Sequence, residues 1–356
     1  FANNSDVTGM WNAIYEGVKR VNTIIAMVPN VAGFGPGEQD QIMGEAYFLR
    51  ALHYHNLVKY YDGVPLRLEP LSDPDQADDI TRATAAEVYT QILADLAQAE
   101  ALITTGTDPD NHATLGAAKA LTARVHLYQG NYALALAKAQ EVEALGYTLA
   151  PSYSDLWSSD AVDTPEDIFK LTFTLTQANL HGHYWLSDQL SGDAGRFEMG
   201  PTQSVIDAYD TLSTDSRLAW NIQPDPNGNG YIEATQGGGS YGSKFPTANG
   251  GEDFHVIRFA EVLLIKAEGF AQGGQLDSAV SNYNQLLARA GLDTDTLGVD
   301  ITTQQQVLDR IDAQRRLELF AEGDRFPDLA RSGRAVAVLG IPANRVLFLI
   351  RQAEID

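Results

Sequence analysis

Residues 44–65 read Gly44-Glu45-Ala46-Tyr47-Phe48-Leu49-Arg50-Ala51-Leu52-His53-Tyr54-His55-Asn56-Leu57-Val58-Lys59-Tyr60-Tyr61-Asp62-Gly63-Val64-Pro65. Apolar and aromatic side chains recur at Ala46, Leu49, Leu52/His53, Asn56/Leu57 and Tyr60, which is helical spacing with a wide stripe for burial. Aromatics are dense: Tyr47, Phe48, Tyr54, Tyr60 and Tyr61 lie on one helix and its exit. Gly63 is expected to take the positive φ that ends the helix, and Pro65 cannot continue it. The stretch reads as a buried central helix of an α-rich protein.

The surrounding chain has 356 residues, enough for a large core, as one big domain or two intertwined lobes. Its longest apolar runs, Val262–Ile265 and Val346–Ile350, are far too short to span a bilayer. There are no cysteines, so neither disulfides nor a thiolate nucleophile are available. The first residue is Phe1, and no signal peptide is read, so a processed or trimmed chain is expected. The net charge is −23, and 17 of the 24 bases are Arg. Such a surface repels phosphate backbones and anionic headgroups, which argues against nucleic-acid binding and electrostatic membrane binding. Solubility and a saline habitat both account for the acidity.

Taken in order, residues 6–28 form an amphipathic helix that Asp6 can cap, with Trp11, Ile14, Val18, Val21, Ile25 and Val28 on its stripe. The central helix starts near Glu38. Residues 66–83 are a polar loop. Thr84-Ala85-Ala86-Glu87 is a capping box for a helix over Thr84–Ile103. Two more helices cover about 113–129 and 132–145. An internal repeat then appears. Ala123 lies seven before Gly130 and Ala135 five after; Ala267 lies seven before Gly274 and Ala279 five after. Both read helix, glycine turn, helix, with small residues where helices approach closely, as in tetratricopeptide packing. Chance agreement between two Ala-rich hairpins is the plainer alternative.

Residues 146–255 lose the helical period. Gly, Pro, Asn, Asp, Ser and Thr are frequent, Ile168–Leu175 alternates like a strand, and three of the four tryptophans lie here. Long irregular segments in compact proteins usually carry function, so this is the candidate binding lobe. Helices are expected to return at Val256.

Three ordered motifs carry a family resemblance. Glu45-Ala46-x-Phe48-Leu49-Arg50-Ala51-Leu52 with Leu57-Val58-x-Tyr60-Tyr61-x-Gly63-Val64-Pro65-Leu66 is the first. Ser243-Lys244-Phe245-Pro246 followed by Arg258-Phe259-Ala260-Glu261-Val262-Leu263-Leu264-Ile265-Lys266-Ala267-Glu268 is the second. Arg316-x-Glu318-Leu319-x-x-Glu322-Gly323-Asp324-Arg325-Phe326-x-Asp328-Leu329-x-Arg331 is the third. Together they resemble the SusD/RagB-like family of lipid-anchored nutrient-binding proteins on Bacteroidetes-type outer membranes. The chain is shorter than most members, and the family's usual Pro-Ile-Pro-x-x-Glu-Ile ending is matched only by Leu349-Ile350-Arg351-Gln352-Ala353-Glu354-Ile355. The resemblance implies a mainly α fold: a tetratricopeptide-like scaffold of about eight helices with an irregular, partly β inserted lobe. The expected divisions are a helical scaffold over 1–145, the lobe over 146–255, and a second helical block over 256–356 packing on the first. It further implies non-catalytic capture of an oligosaccharide or other nutrient, no cofactor, and a TonB-dependent SusC-like transporter as partner. The location implied is the cell surface at the outer membrane. The lipid would sit on an N-terminal Cys upstream of this chain.

Glu318 and Glu322 share a helix face with Arg325, Asp328 and Arg331 following, but a glycosidase needs carboxylates across a sugar-sized gap. Charges three and four apart read as structural pairs. Gly238-Gly239-Ser240-Tyr241-Gly242 matches G-x-S-x-G, yet no apolar strand precedes it, so it reads as a loop. His53 and His55 point apart on a helix; His181 and His183 could share a strand face but lack further ligands. Asp225-x-Asn227-x-Asn229-Gly230 echoes half a calcium loop, but the twelfth position is Gln236, and Asn-Gly is a turn signal. The site candidates are therefore the lobe's aromatics and a neighbouring acid: Tyr153, Trp157, Tyr184, Trp185, Asp188 and Tyr241. Sugar C–H faces lie flat on such rings while nearby polar groups bond the hydroxyls. The competing use for each ring is the lobe's own core. Two functional alternatives remain open: a tetratricopeptide-type scaffold binding a peptide or protein, and a glycoside hydrolase, for which Asp188, Asp193, Glu198 and Asp207 are the nearest unpaired material.

Overall fold

The computed structural model describes residues 4–70, 81–103, 111–157, 163–174, 176–187, 195–210, 214–233, 239–248 and 250–350. Asp188, Asp193, Gln236, most of the polar loop after Glu69 and the closing Arg351–Ile355 lie outside them. Among the described residues there are thirteen α-helices, eight of them 12 residues or longer, and four short strands. The chain is mainly α, as its periodicity implies. It forms two compact units, Phe1–Asn131 with Phe326–Asp356 and Tyr132–Arg325.

In the first unit, α1 spans Ser5–Met27, α2 Glu38–Tyr61, α3 Ala85–Leu102 and α4 Leu115–Tyr128. The N-cap of α1 is Asn4 rather than Asp6: its side chain accepts from the backbone N–H of Asp6 and Val7, both at 2.9 Å. The central helix α2 packs on both α1 and α3. That two-sided packing explains why Phe48, Ala51, Tyr54, His55, Leu57 and Tyr61 are all buried, although they do not share one face. The capping box at Thr84 and Glu87 forms as its sequence predicts. At the end of α2 the positive φ falls on Asp62, at 63°. Gly63 is needed for another reason: a Cβ there would meet the Ala83 carbonyl oxygen at 2.2 Å. Further along, α4 ends at Gly130 (φ 72°), where Asn131 N–H bonds the His126 carbonyl at 2.9 Å. The last helical pieces, Arg325–Arg331 and Ala335–Leu339, lead to Phe348, whose N–H bonds the Tyr60 carbonyl at 2.7 Å.

The second unit is built on α5 (Tyr132–Glu143), α9 (Phe259–Gln272), α10 (Leu276–Arg289) and α11 (Gln304–Glu318). Helix α9 is buried along nearly its whole length because α5, α10 and α11 all pack on it. Gly269 lets α5 come close: a Cβ there would meet Leu136 Cβ at 2.8 Å. The turn at Gly274 (φ 75°) repeats the hydrogen bonding of Gly130, with Gln275 N–H on the Phe270 carbonyl at 2.9 Å. Between α5 and α9 runs the irregular segment. Strand β1 (Asp167–Leu171) pairs antiparallel with β4 (Phe254–Arg258), and β2 (Ile222–Gln223) with β3 (Tyr241–Gly242). Three short helices lie between them: α6 (His181–Trp185), α7 (Gln203–Asp210) and α8 (Leu218–Asn221). The helix expected from Val256 begins at Phe259 instead, because Val256–Arg258 complete a ladder with a strand some ninety residues earlier.

Candidate functional site

The interior of the second unit holds a network of charged groups centred on Glu318. Glu318, at the end of α11, accepts from Arg258 Nη1 at 2.6 Å, from Arg217 Nη1 at 3.2 Å and from Arg289 Nη2. Arg258 also meets Glu166 at 2.7 Å and Glu322 at 2.7 Å. Lys244 Nζ donates to Glu322 at 2.6 Å, and Arg217 forks onto Asp215 at 2.9 and 2.6 Å. Four cations thus face four carboxylates, and their side chains are almost wholly buried. Burial alone would push Glu318 up, but the three guanidiniums outweigh it and hold the carboxyl well below its usual range. Burial pushes Lys244 down, to about 8. The third motif's charges therefore pair mainly with residues far away in sequence rather than along their own helix. Local pairs are formed as well: Arg331 with Asp328 at 2.7 Å in the first unit, and Arg325 with Asp312 at 2.7 Å in the second.

This network decides where the candidate aromatics go. Tyr153 and Trp157 lie in and beside a short 3-10 helix over Tyr153–Leu156 and are 1% and 2% exposed. Lys244 Nζ sits 4.1 Å from the Trp157 ring centre, and Tyr153 O–H donates to Asn221 at 2.9 Å. Both rings roof the ion cluster and offer no open face. Tyr241 is held in β3 and is also buried. Tyr184 and Trp185, on α6, are half-buried. Trp185 packs on Phe320 at 5.5 Å, and its ring lies on Gly242, where a Cβ would meet Cε3 at 2.5 Å. Arg196 lies 5.9 Å from the Tyr184 ring centre and pairs with Glu198. Backbone bonds from Arg196 to the His183 carbonyl and from Glu198 to the Tyr184 carbonyl, 2.7 and 3.0 Å, fix that strip beside α6.

The structure thus brings together Tyr184, Trp185, Arg196 and Glu198, with Trp185, partly buried, packed against the hydrophobic cluster that holds the buried Tyr153 and Trp157. Arg196 and Phe320 carry no sequence signal as site residues, and Gly242 shows only as part of the glycine-rich loop. His181 and His183 sit on a helix, not a strand: His181 stacks on Phe254 at 4.5 Å and His183 meets Tyr184 edge-on at 5.5 Å. Asp225 ties its own turn, accepting from Asn227 N–H at 2.9 Å and Asn229 Nδ2 at 2.7 Å. Among the described residues no three His, Asp or Glu side chains gather as metal ligands.

This mainly helical architecture matches solved SusD-like structures. A SusD superfamily protein of Bacteroides vulgatus superposes with a TM-score of 0.82 at 23% identity, over 97% of this chain and 79% of that one. A laminarin-binding SusD-like protein superposes with a TM-score of 0.80 at 28% identity, over 98% and 83%. The chain belongs to the SusD/RagB-like family. Residues 2–127 match the family described as starch-binding and associating with the outer membrane, and residues 231–346 match the SusD family. SusD-like protein P38 of Formosa agariphila is 26% identical over 388 residues, covering 94% of this chain and 74% of the relative. Among the described residues no helix is long and apolar enough to cross a membrane.

Proposed function

We propose that the protein captures an oligosaccharide without altering it, at the face of residues 146–255 that carries Tyr184 and Trp185. The carrying observation is Trp185, braced between Phe320 and Gly242 with part of its ring exposed beside Tyr184. A braced indole offers an apolar plane at little entropic cost, and Arg196, Glu198 and backbone groups supply donors and acceptors around it. The likeness to a laminarin-binding protein supports a neutral glucan as the first ligand to try. Binding without hydrolysis agrees with the fate of the buried carboxylates: Glu166, Glu318 and Glu322 are consumed by guanidinium and ammonium partners and do not flank an open sugar-sized gap. Surface lipid anchoring at the outer membrane and delivery to a TonB-dependent SusC-like transporter belong to the same reading, and so does the use of the other helical residues as scaffold.

The test is calorimetric titration of the protein with laminari-oligosaccharides and a panel of other glycans, followed by chromatography of the ligand. Saturable binding with the ligand recovered intact is expected. Trp185→Ala should weaken affinity by about tenfold or more, roughly 1.4 kcal/mol, with the circular dichroism unchanged. Cleavage products, or unchanged affinity in that variant, would overturn the reading.

A further inference from the structure

The first unit contains a cleft of about 280 Å³ between α1 and the extended segment that follows α2. Its floor is Trp11 and Val18, its walls are Tyr15 and Pro65, and its rim carries Asn12, Glu16, Lys19, Arg67 and Glu69. The wall is held from behind by a chain of buried polar bonds. Asp95 takes Arg50 by two bonds of 2.8 and 2.7 Å. Arg50 Nη1 then donates to Asn22 Oδ1 at 3.0 Å, and Asn22 Nδ2 donates to the Arg67 carbonyl at 2.9 Å. Arg50 also reaches the Leu68 carbonyl at 3.1 Å, and Tyr54 O–H both donates to the Arg67 carbonyl and accepts from its N–H, at 2.7 and 2.6 Å. Tyr15 O–H fixes the Pro65 carbonyl at 2.8 Å. Five bonds with side chains thus position Pro65, Arg67 and Leu68, leaving the Arg67 and Glu69 side chains at the cleft. Among the described residues Asn12, Arg67 and Glu69 make no side-chain hydrogen bond or ion pair.

We infer that this cleft is a second saccharide site, taking one neutral sugar ring of a glycan. Its volume is at the small end for ligand clefts and suits one ring. The half-buried Tyr15 ring, set 4.8 Å from the buried Trp11 and tilted by 50°, gives an apolar wall for a sugar's C–H face. The rim carries two bases and two acids and is neutral, within a chain of net charge −23. An anionic ligand calls for a cationic rim and a cationic ligand for an acidic one. A polyhydroxylated neutral ring needs both donors and acceptors: carboxylates accept from its hydroxyls, while guanidinium and amide groups donate to them. Glu16 is already shared by Lys19 at 3.9 Å and Arg20 at 3.1 Å, so the groups left for the ligand are Arg67, Glu69 and Asn12. The site stands apart from the Trp185 reading and does not depend on it.

The experiment is calorimetry and tryptophan fluorescence on the whole chain carrying Trp185→Ala, with laminaritriose and maltotriose as probes. One saturable site is expected to remain, and Arg67→Met with Glu69→Gln should weaken it at least tenfold without lowering the thermal midpoint. Both replaced side chains lie at the cleft and make no described bond, so folding is spared. If neither trisaccharide binds the Trp185→Ala protein, or if the double substitution leaves binding unchanged, the inference is wrong. It is equally wrong if galacturonate or a zwitterion such as glycyl-tryptophan displaces the sugar and binds more tightly. Should Trp185→Ala leave all binding intact while the Arg67/Glu69 substitutions remove it, the Trp185 reading fails and this one stands.

Discussion

Arg258 and Glu318 hold each other by two routes: Nη1 donates to the carboxylate at 2.6 Å and Nη2 to the Glu318 backbone carbonyl at 2.7 Å. One residue ends β4 and the other ends α11, so the pair ties the irregular segment to the helices of its own unit. Buried charges are costly to desolvate, and such a cluster is maintained only where nearly every partner is present. The surrounding cations and carboxylates balance, which makes each member sensitive to loss of any other.

Glu318→Gln should therefore be among the most damaging single substitutions in the chain. It leaves Arg217, Arg258 and Arg289 around a neutral amide in the interior. The expected loss is about 3–5 kcal/mol of unfolding free energy, read from urea denaturation. Glu16→Gln, at an exposed pair, should stay within about 0.5 kcal/mol. A Glu318→Gln protein as stable as the parent would show that the cluster is energetically inert.

Acid should act through the same groups. Burial raises the Glu322 carboxyl, but Arg258 and Lys244 outweigh it and bring it below the ordinary value. With the folded value lowered, the unfolded chain binds more protons in the interval between the two. The contribution is full above roughly pH 4.5 and is lost as pH falls toward the lowered value. Relief of self-repulsion among the surface acids works in the opposite direction, so total stability is a poor readout. The stability difference between the parent and Glu322→Gln isolates the effect. That difference should be constant from pH 7 to 5 and shrink steadily from about pH 4.5 to 3. A difference independent of pH would mean that Glu322 is not depressed.

The long helices were legible because their signals are local. Thr84 and Glu87 lie three apart, and the stripe of α3 lies within one run of chain, so capping and burial follow from neighbours in sequence. The misplaced elements are those decided at a distance. Val256–Arg258 have the residues to continue a helix backward from Phe259, but their strand partner lies at Asp167–Leu171. Lys244, Arg258, Glu318 and Glu322 stand out as motif residues, yet nothing in their spacing says that they meet. Tyr153 and Trp157 look like loop aromatics until that cluster is seen beneath them. Periodicity cannot assign burial in a segment without a period. For that reason nothing in the sequence distinguishes the half-buried Tyr184 and Trp185 from the buried pair.

In the first unit, Asp95→Ala should destabilise by about 3–5 kcal/mol, because Arg50 is 5% exposed and loses both of its charged bonds. Replacing both partners, as Arg50→Met with Asp95→Leu, should recover much of that loss, since no charge is then left buried. The same double variant removes the bonds to Asn22 and the Leu68 carbonyl, so residues 65–69 should loosen even where stability returns. Hydrogen exchange at Arg67 N–H is the measurement. Faster exchange in the double variant than in the parent is expected, and unchanged protection would remove the buried pair from any role in shaping the wall.

Gly242→Val offers the sharpest separation of platform from fold in the second unit. The residue pairs with Ile222 through its backbone, which valine preserves and, as a β-branched residue, suits. Its added Cβ would stand 2.5 Å from Trp185 Cε3, so the indole must leave its seat against Phe320. Trp185 is only half-buried and can swing outward at modest cost, so the loss of stability should stay near 1–2 kcal/mol. Saccharide affinity at this face should fall as far as in Trp185→Ala, because a displaced indole no longer presents a fixed plane. Tryptophan emission should shift to the red as the ring gains water. Gly242→Ala should give an intermediate result, with a smaller shift and partial affinity. Full affinity in Gly242→Val, together with a red-shifted indole, would mean that the ring's fixed position is not what the ligand recognises.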